Sequence, residues 1–461
     1  MYSERFFGII GESRSNTSDL EIDRYQGMLL KFRVSNFRSI RDEVEIDLYR
    51  GRGFVEDDRW RRPDVGTVAA IYGPNASGKS TVLRALHFVS TAVRDSFKKW
   101  TEGETPRVPF LLDDVSAALP SEFEVDFLAD DGHEYIYGFA IDDNRVVSEH
   151  LYQYKSRKRT VLYERDDEIS FGPSFRGPAR HAAQLTSDST LFLSVAAASG
   201  IEVVSAAHRW LSDSIRLYDS RGYSREHGQI IKQARRRGPF VEAMSAAAAS
   251  ADLGATSLKL EENPYANDAR EQYEKIMGAL QVALPDNVNL DLTSPDFPEH
   301  RLVLQHAAAN GSVPLPFEAE SDGTHAFLSF VSVALRALEK GSTCIVDEID
   351  SSLHPVLVSS LVQMFQDPTM NRNQAQLLFT THDASLLSGT HGERLLSKDS
   401  VWFVEKSAVG ETQLFALDEY KRVDEQNWQR AYLSGRYGAM PSVMLRNAIQ
   451  TFWDARDRDE Q

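Results

Sequence analysis

The feature that most limits what this chain can fold into is a glycine-framed loop between an apolar strand and a helix. Residues 69–81 read AAIYGPNASGKST, which matches the phosphate-binding P-loop pattern G-x-x-x-x-G-K-[ST] at every fixed position. Gly73 and Gly78 let the backbone curl so that successive N–H groups point at one anion, and the helix that begins near Lys79 adds its positive N-terminal end. A plain Gly/Ser turn is the alternative. The apolar strand before the loop and the apolar helix face after it favour a nucleotide site.

The loop supplies most of the candidate binding residues. Lys79 would reach the β- and γ-phosphates of ATP, and Ser80 would ligate Mg²⁺. The residues predicted to surround the triphosphate are Gly73, Asn75, Ser77, Gly78, Lys79, Ser80 and Thr81. ATP and Mg²⁺ are therefore the expected cofactors.

Composition is typical of a globular protein from a reducing compartment. The 461 residues suffice for two or three domains, at ~100–200 residues each. The single cysteine, Cys344, excludes a disulfide framework, and its apolar run 343–346 favours a buried side chain over a reactive thiol. No apolar stretch approaches the ~20 residues of a membrane span, and the charged start has no signal-peptide core. We expect a cytoplasmic protein without a membrane partner.

The charge distribution limits how the chain could bind nucleic acid. The net charge of -17 argues against binding by the whole surface, although local basic clusters could still bind DNA. Three basic stretches are candidates, at 59–62, 155–159 and 232–237. For the first two, a solvated loop or hairpin tip is favoured over a contact with a phosphate backbone.

Changes in hydrophobic periodicity divide the chain into five parts. Residues 1–27 are polar and are interpreted as an extension or a partner-binding arm. Residues 28–165 would form the N-terminal part of an ATPase head, with the P-loop and an antiparallel β lobe. The remaining parts are a mainly helical insertion (166–298), the C-terminal part of the head (299–420) and a helical tail (421–461).

Two pairs of strands are predicted in the β lobe. Apolar residues alternate over 30–34 and 44–48, which predicts two paired strands upstream of the P-loop. They alternate again over 123–127 and 135–141, on either side of the turn signal at 130–132. The second pair is therefore expected to be a hairpin.

A second candidate anion site precedes a helix in the C-terminal half. Ser321 and Gly323 stand before a run whose apolar positions, from Phe327 to Leu338, recur at helical spacing. A small hydroxyl and a bare backbone beside unpaired N–H groups can form an anion cradle. Taken alone, Ser-Asp-Gly before a helix is more often only a cap.

Two further strands end in polar residues that suit phosphate chemistry. The apolar run 343–346 leads into Asp347, which would help to hold Mg²⁺, and Glu348, which could polarise the attacking water. The run 376–381 leads into His382, which is placed to sense a γ-phosphate. Because open α/β sheets bind ligands at the carboxyl ends of their strands, these ends should converge with the P-loop.

In this order, the motifs resemble those of ABC-type ATPases of the SMC and RecF class. More closely, the chain resembles the OLD-like bacterial ATPases of phage-defence and restriction-linked operons, the RloA and AbiL type. Beyond the ATPase motifs, the resemblance rests on NFRS at 36–39, VWFVEK at 401–406 and YLSGRYGAMP at 432–441, and it covers about 28–443. It implies an α/β fold: an ABC-type (SMC/RecF-like) P-loop NTPase head with a mixed central sheet, an antiparallel β lobe and a helical insertion.

The resemblance also implies roles for individual residues. Glu348 would be the catalytic base, with Lys79 on the phosphates and His382 as the switch histidine. Ser321 and Gly323 would reach the γ-phosphate of a neighbouring subunit.

By the same resemblance, Asn36 and Arg38 would lie near the nucleotide.

Two features depart from the pattern of the family. The signature, residues 321–324, reads SDGT rather than the transporter-type LSGGQ, which argues against a transporter subunit. No Q-loop glutamine is obvious, and Gln153 is a candidate.

In ATPases of the class that the chain resembles, the P-loop and the signature meet across a subunit interface, so one P-loop and one signature per chain imply a composite site that needs two copies. Nucleotide binding should therefore be coupled to formation of a homodimer or a higher homo-oligomer. Fewer than 80 residues follow His382, too few for the Toprim domain of OLD nucleases, so an effector is expected to be a separate protein.

The resulting hypothesis is a slow, assembly-dependent ATPase that converts ATP and water to ADP and phosphate. It would serve as the sensor or regulatory scaffold of a bacterial anti-phage defence system of abortive-infection type. A Toprim or RloB-like nuclease is the expected effector, and DNA or a phage-derived molecule is a candidate trigger. The alternative is a RecF/SMC-like DNA-binding ATPase in DNA repair, in which 155–159 and 232–237 track the phosphate backbone.

Overall fold

Runs of strands and runs of helices follow one another along the chain, and the strands form sheets of different types. The computed structural model describes residues 27–50, 64–155, 158–218, 223–236, 238–251, 253–283, 299–390, 393–420, 427–438, 449–453 and 456. The strands are β1 (Leu29–Ser35), β2 (Val44–Asp47), β3 (Val68–Tyr72), β4 (Ser121–Leu128), β5 (Glu134–Ile141), β6 (Val146–Tyr154), β7 (Arg159–Arg165), β8 (Ile169–Phe171), β9 (Ile215–Tyr218), β10 (Ala255–Glu262), β11 (His300–Ala308), β12 (Gly311–Pro316), β13 (Thr343–Val346), β14 (Gln376–Thr381), β15 (Gly389–Thr390), β16 (Glu393–Arg394), β17 (Val401–Lys406) and β18 (Thr412–Ala416). The α-helices are α1 (Lys79–Lys99), α2 (Asp114–Ala118), α3 (Ala179–Leu185), α4 (Phe192–Ala198), α5 (Ser205–Asp213), α6 (Tyr223–Ala234), α7 (Gly238–Ser250), α8 (Ala266–Ala283), α9 (Asp322–Lys340), α10 (Pro355–Gln366) and α11 (Trp428–Leu433).

Some predictions concern residues outside the described ranges. These are the extension before residue 27, the basic stretch 59–62 and most of the predicted tail.

A mixed sheet carries the P-loop. Within the described residues its order is β18-β17-β3-β14-β13-β9, and each neighbouring pair is parallel except β17 and β18. Every residue of β3, β13 and β14 is buried, as expected for parallel strands covered on both faces. Because β3, β14 and β13 are adjacent and parallel, their carboxyl ends lie side by side, as predicted.

A second sheet forms the antiparallel lobe. In the described residues its order is β2-β1-β4-β5-β6-β7-β8. Both predicted strand pairs are present, since β1 pairs with β2 and β4 pairs with β5. Gly132, in the β4–β5 turn, has a φ of 75°, a conformation that glycine adopts without strain. The predicted α/β fold, with a P-loop on a mixed central sheet and an antiparallel β lobe, is confirmed.

The predicted helical insertion needs correction. Residues 166–298 are mainly helical where the structure describes them, but β9 pairs in parallel with β13 at the edge of the central sheet. This stretch is therefore not separate from the head. It also contributes β10 to a small antiparallel sheet with β11 and β12. A four-residue strand such as β9 is too short to give a periodic signal.

Part of the predicted C-terminal tail belongs to the core. Tyr432, in α11, is 4% exposed, and its ring lies 5.5 Å from that of Tyr72 at the end of β3. Tyr437 is 1% exposed and stacks on Phe403 of β17 at 4.9 Å. These aromatic contacts attach the segment 427–438 to the central sheet.

The helices of the described residues include none that combines the length and apolar character needed to cross a bilayer.

Candidate functional site

The P-loop occupies the predicted position between β3 and α1. Gly78 precedes α1 with a φ of 111°, and a Cβ there would lie 2.1 Å from Thr412 Oγ1. A Cβ on Gly73 would lie 2.2 Å from the carbonyl oxygen of Val404. Both glycines are therefore required by close neighbours on β17 and β18, in addition to the turn that they allow.

Lys79 lies beneath the loop that it follows. Its Nζ donates to the carbonyl oxygens of Gly73 at 2.7 Å and Pro74 at 2.9 Å, and the residue is 6% exposed. Burial lowers the pKa of Lys79 to about 8, against the opposing effect of the carboxylates of Glu348 and Asp347. The amine thus faces both the loop and the acidic strand end.

The other loop residues differ in exposure. Ser77 is buried, whereas Asn75 is exposed at the outer turn of the loop. Thr81 accepts a hydrogen bond from Ser39 Oγ at 3.2 Å, so α1 also contacts the turn after β1. The structure places all the predicted P-loop residues in one continuous cradle.

A network of oxygen atoms joins the P-loop to the neighbouring strand ends. Ser80 Oγ donates to Asp347 Oδ1 at 2.8 Å, and Thr380 Oγ1 donates to the same oxygen at 2.8 Å. Arg84, one turn into α1, lies 3.7 Å from the other oxygen of Asp347. A hydroxyl and a carboxylate in direct contact are hard oxygen ligands of the kind that Mg²⁺ prefers.

Glu348 and His382 stand at the ends of adjacent strands. Glu348 is exposed and has a φ of 56°, in the left-handed region. The backbone N–H of His382 donates to Asp350 Oδ2 at 3.1 Å. Partial burial and the charge of Lys79 lower the pKa of His382, while Asp350 and the two acids at 347–348 oppose that shift. The predicted convergence of the strand ends on the P-loop is present.

The signature residues begin α9 as predicted. Ser321 is the N-cap, and its Oγ accepts from Thr324 N at 3.2 Å. A Cβ on Gly323 would lie 3.2 Å from the carbonyl oxygen of Ser352, so the signature packs against the loop between β13 and α10. The hydrogen bonds that the structure gives for Ser321, within the described residues, reach none of the P-loop. Its role as an anion ligand stays a prediction.

The side chain of Asn36 is hydrogen-bonded to the segment that contains α2. Its side-chain amide donates to the carbonyl oxygens of Ser116 and Leu119, each at 2.7 Å, and its Oδ1 accepts from Phe110 N at 2.9 Å. These contacts give no support to the predicted place beside the nucleotide. Arg38 is exposed, with its guanidinium 5.6 Å from the centre of the Phe37 ring.

Gln153 belongs to the antiparallel lobe. It is 4% exposed on β6, and its Nε2 donates to the hydroxyl of Tyr135 on β5 at 2.6 Å. This pairing places it within the lobe, apart from the strand ends that carry the other candidates.

Three hydroxyl residues of the site were missed by the sequence analysis. Thr380 lies inside the quoted strand 376–381, and Ser39 inside the NFRS motif, so both were available as signals. Thr412 Oγ1 donates to Ser77 O at 3.0 Å and lies within hydrogen-bond distance of Ser39 Oγ, at 2.8 Å. Nothing in the local sequence of β18 marks that residue as a contact of the P-loop.

One protein-family model matches the chain. The family described as "AAA domain, putative AbiEii toxin, Type IV TA system" matches residues 68–388. That range includes the P-loop, the signature, both acids after β13 and His382, and it leaves out Asn36 and Arg38. No curated protein matches the sequence.

Solved structures show weaker likenesses. "Structure of the recombination mediator protein RecF-ATPrS in RecFOR pathway" is 15% identical, with a TM-score of 0.33, covering 85% of this chain and 100% of that one. The RecF-ATP structure of the same pathway is 12% identical, with a TM-score of 0.35, covering 85% and 99%. Stu0660 of Streptococcus thermophilus is 11% identical, with a TM-score of 0.27, covering 81% and 74%. At these values the likenesses support no conclusion about activity or partners.

Proposed function

The chain belongs to the family described as "AAA domain, putative AbiEii toxin, Type IV TA system", and from that premise we propose that it hydrolyses ATP to regulate an anti-phage defence system. The observation that carries the enzymatic part is the contact of Ser80 with Asp347, which joins the P-loop to the strand that ends in Glu348. The groups that we propose to bind phosphate, to bind the metal and to act as the base thus lie at one edge of the central sheet.

The residues of this edge divide the work of hydrolysis. Backbone N–H groups of the loop and the Lys79 ammonium hold the phosphates, and Ser80 and Asp347 would hold Mg²⁺. The ion would neutralise charge on the phosphate oxygens. Glu348 accepts a proton from the attacking water, whose oxygen forms a bond to the γ-phosphorus as the bond to the ADP oxygen breaks. His382 hydrogen-bonds the γ-phosphate.

The enzymatic proposal predicts a different defect for each of two variants. Lys79→Ala removes the phosphate-binding charge, so both ATP binding and turnover should be lost. Glu348→Gln keeps the shape of the side chain and removes the base, so ATP should still bind while turnover falls at least about 100-fold. Phosphate release and equilibrium ATP binding check these outcomes, with the exposed Glu242→Gln of α7 as the control. Turnover of wild-type magnitude in both variants would contradict the site assignment.

The defence role is supported by the family description, which names a toxin system. We propose that the chain is its sensor or regulatory scaffold, of the OLD-like RloA and AbiL type, and that a separate Toprim or RloB-like nuclease is the effector. Tagged Glu348→Gln protein purified from its native cell with ATP and Mg²⁺ tests this. A stoichiometric nuclease in the purified material would support the proposal.

A DNA-repair ATPase is the second candidate. The described residues of both basic runs that bear charge, namely Lys155, Lys158, Arg159, Lys232, Arg235 and Arg236, are exposed. Bound DNA without a protein partner in the same purification would favour this alternative. DNA affinity should then fall steeply with salt and be lost when the two runs are neutralised.

A further inference from the structure

Thr380 is a buried threonine whose hydroxyl lies between the two acids of the neighbouring strand end. It is 0% exposed, near the carboxyl end of β14. Its Oγ1 donates to Asp347 Oδ1 at 2.8 Å and accepts from Glu348 N at 2.7 Å. Its carbonyl oxygen also accepts from Ile349 N at 3.0 Å. One residue therefore contacts the metal-binding acid, the base and the residue after it.

These bonds hold two features that need support. Glu348 has a φ of 56°, a conformation that non-glycine residues rarely adopt. The hydroxyl and the carbonyl of Thr380 fix the backbone on both sides of that residue. The carboxylate of Asp347 is held through one oxygen by two hydroxyls, those of Thr380 and Ser80. A hydroxyl is required at position 380, since one atom must both donate and accept.

We propose that Thr380 is a positioning residue for ATP hydrolysis, which aims Glu348 and orients Asp347 without touching the nucleotide. The inference rests on the proposed ATPase function. It predicts that loss of the Thr380 hydroxyl affects ATP hydrolysis but not ATP binding, whereas a general loss of folding would affect both. The predicted phosphate contacts of the P-loop do not involve Thr380. ATP should therefore still bind when the Thr380 hydroxyl is absent, and only hydrolysis should fail.

The test compares Thr380→Val with Thr380→Ser. Valine keeps the volume and removes the hydroxyl, so kcat should fall about 10- to 100-fold, and the Mg²⁺ concentration for half-maximal rate should rise severalfold. The Kd for ATP measured without Mg²⁺ should stay within about twofold of wild type. Serine restores both hydrogen bonds, and most of the kcat should return.

Thr343→Val is the matched control. Thr343 is equally buried, donates a side-chain hydrogen bond to Gln376 at 3.2 Å, and lies at the opposite end of β13. The substitution removes a buried hydroxyl at the end of β13 that is remote from Asp347, so kcat and the Mg²⁺ requirement should match those of the wild type. Thermal unfolding of the variants reports any general loss of stability.

The outcomes distinguish failure of the positioning role of Thr380 from failure of the proposed ATPase function. An active wild type with unchanged kcat in Thr380→Val, an equal loss in Thr343→Val, or no recovery in Thr380→Ser would overturn the inference alone. A wild type that binds no ATP or does not hydrolyse it would remove the proposed function and the inference together. If Thr380→Val does not fold, Thr380→Ala, which removes the hydroxyl and adds no methyl group, carries the same expectation.

Discussion

The hydrogen bonds and the pKa of Lys79 bear on how the P-loop would bind a phosphate anion. The Lys79 amine donates to two carbonyl oxygens of its own loop, which offsets part of the cost of burying it. Burial still disfavours the charged form, which places its pKa at about 8. A bound triphosphate would stabilise the ammonium and raise that pKa.

This pKa predicts how ATP affinity depends on pH. Below pH 8 the amine is already protonated, so this group adds no pH dependence. Above pH 8, binding must take up a proton, and affinity should fall by up to about tenfold for each pH unit until the pKa of the bound state is reached. Equilibrium titrations from pH 7 to 9.5 at constant ionic strength check this. Lys340→Met, which removes an exposed lysine at the end of α9, should follow the wild-type curve, and an unchanged Kd up to pH 9.5 would disprove the assignment.

Between elements, the closest fit in the site is that of the P-loop against β18. Gly78 has both a positive φ and no room for a Cβ beside Thr412. Gly78→Ala should therefore abolish ATP binding and lower the apparent midpoint of thermal unfolding by several degrees, because backbone strain and a steric clash act together. Both effects can be read from a thermal melt with and without ATP.

Gly228 provides the comparison for that variant. It lies in α6, where a Cβ would meet nothing within 4 Å. Gly228→Ala should be neutral or stabilising by up to about 1 kcal/mol, since alanine is the better helix former. A Gly78→Ala protein that binds ATP and melts like Gly228→Ala would show that the approach of Thr412 places no constraint on the loop.

The elements differ in how far sequence could predict them. The P-loop, the strand ends at Asp347 and His382, and the β4–β5 hairpin follow local patterns, and each is present. β9 and β10 were missed because one is only four residues long and the other, ATSLKLEE, lies in a stretch dominated by helical patterns. The contacts of the Asn36 side chain with residues 110–119 could not be predicted, because a motif gives a residue's neighbourhood without the direction of its side chain. Thr412 could not be found, because only the folded sheet brings β18 to the loop.

At the scale of the whole molecule, the signature and the P-loop of one chain have no described hydrogen bond between them. Because each chain carries one P-loop and one signature, we propose that each site is completed by Ser321 of a second copy. Glu348→Gln protein with ATP and Mg²⁺ should form a dimer or a larger assembly, and the same protein without ATP should be a monomer. Light scattering after size exclusion measures this mass. Adding Ser321→Arg should prevent assembly while leaving ATP binding intact, and a Glu348→Gln protein that stays monomeric at saturating ATP would rule out the composite site.

The contacts of Gly73 with Val404 and of Gly78 with Thr412 also set an order of events during translation. The P-loop leaves the ribosome early, but the strands that shape it, β14, β17 and β18, are synthesised near the end of the described chain. We therefore expect a nascent chain to bind nucleotide only after residue 412 has emerged and folded back. An mRNA truncated before the codon for residue 412 should therefore yield a protein with an intact P-loop sequence and no working nucleotide site.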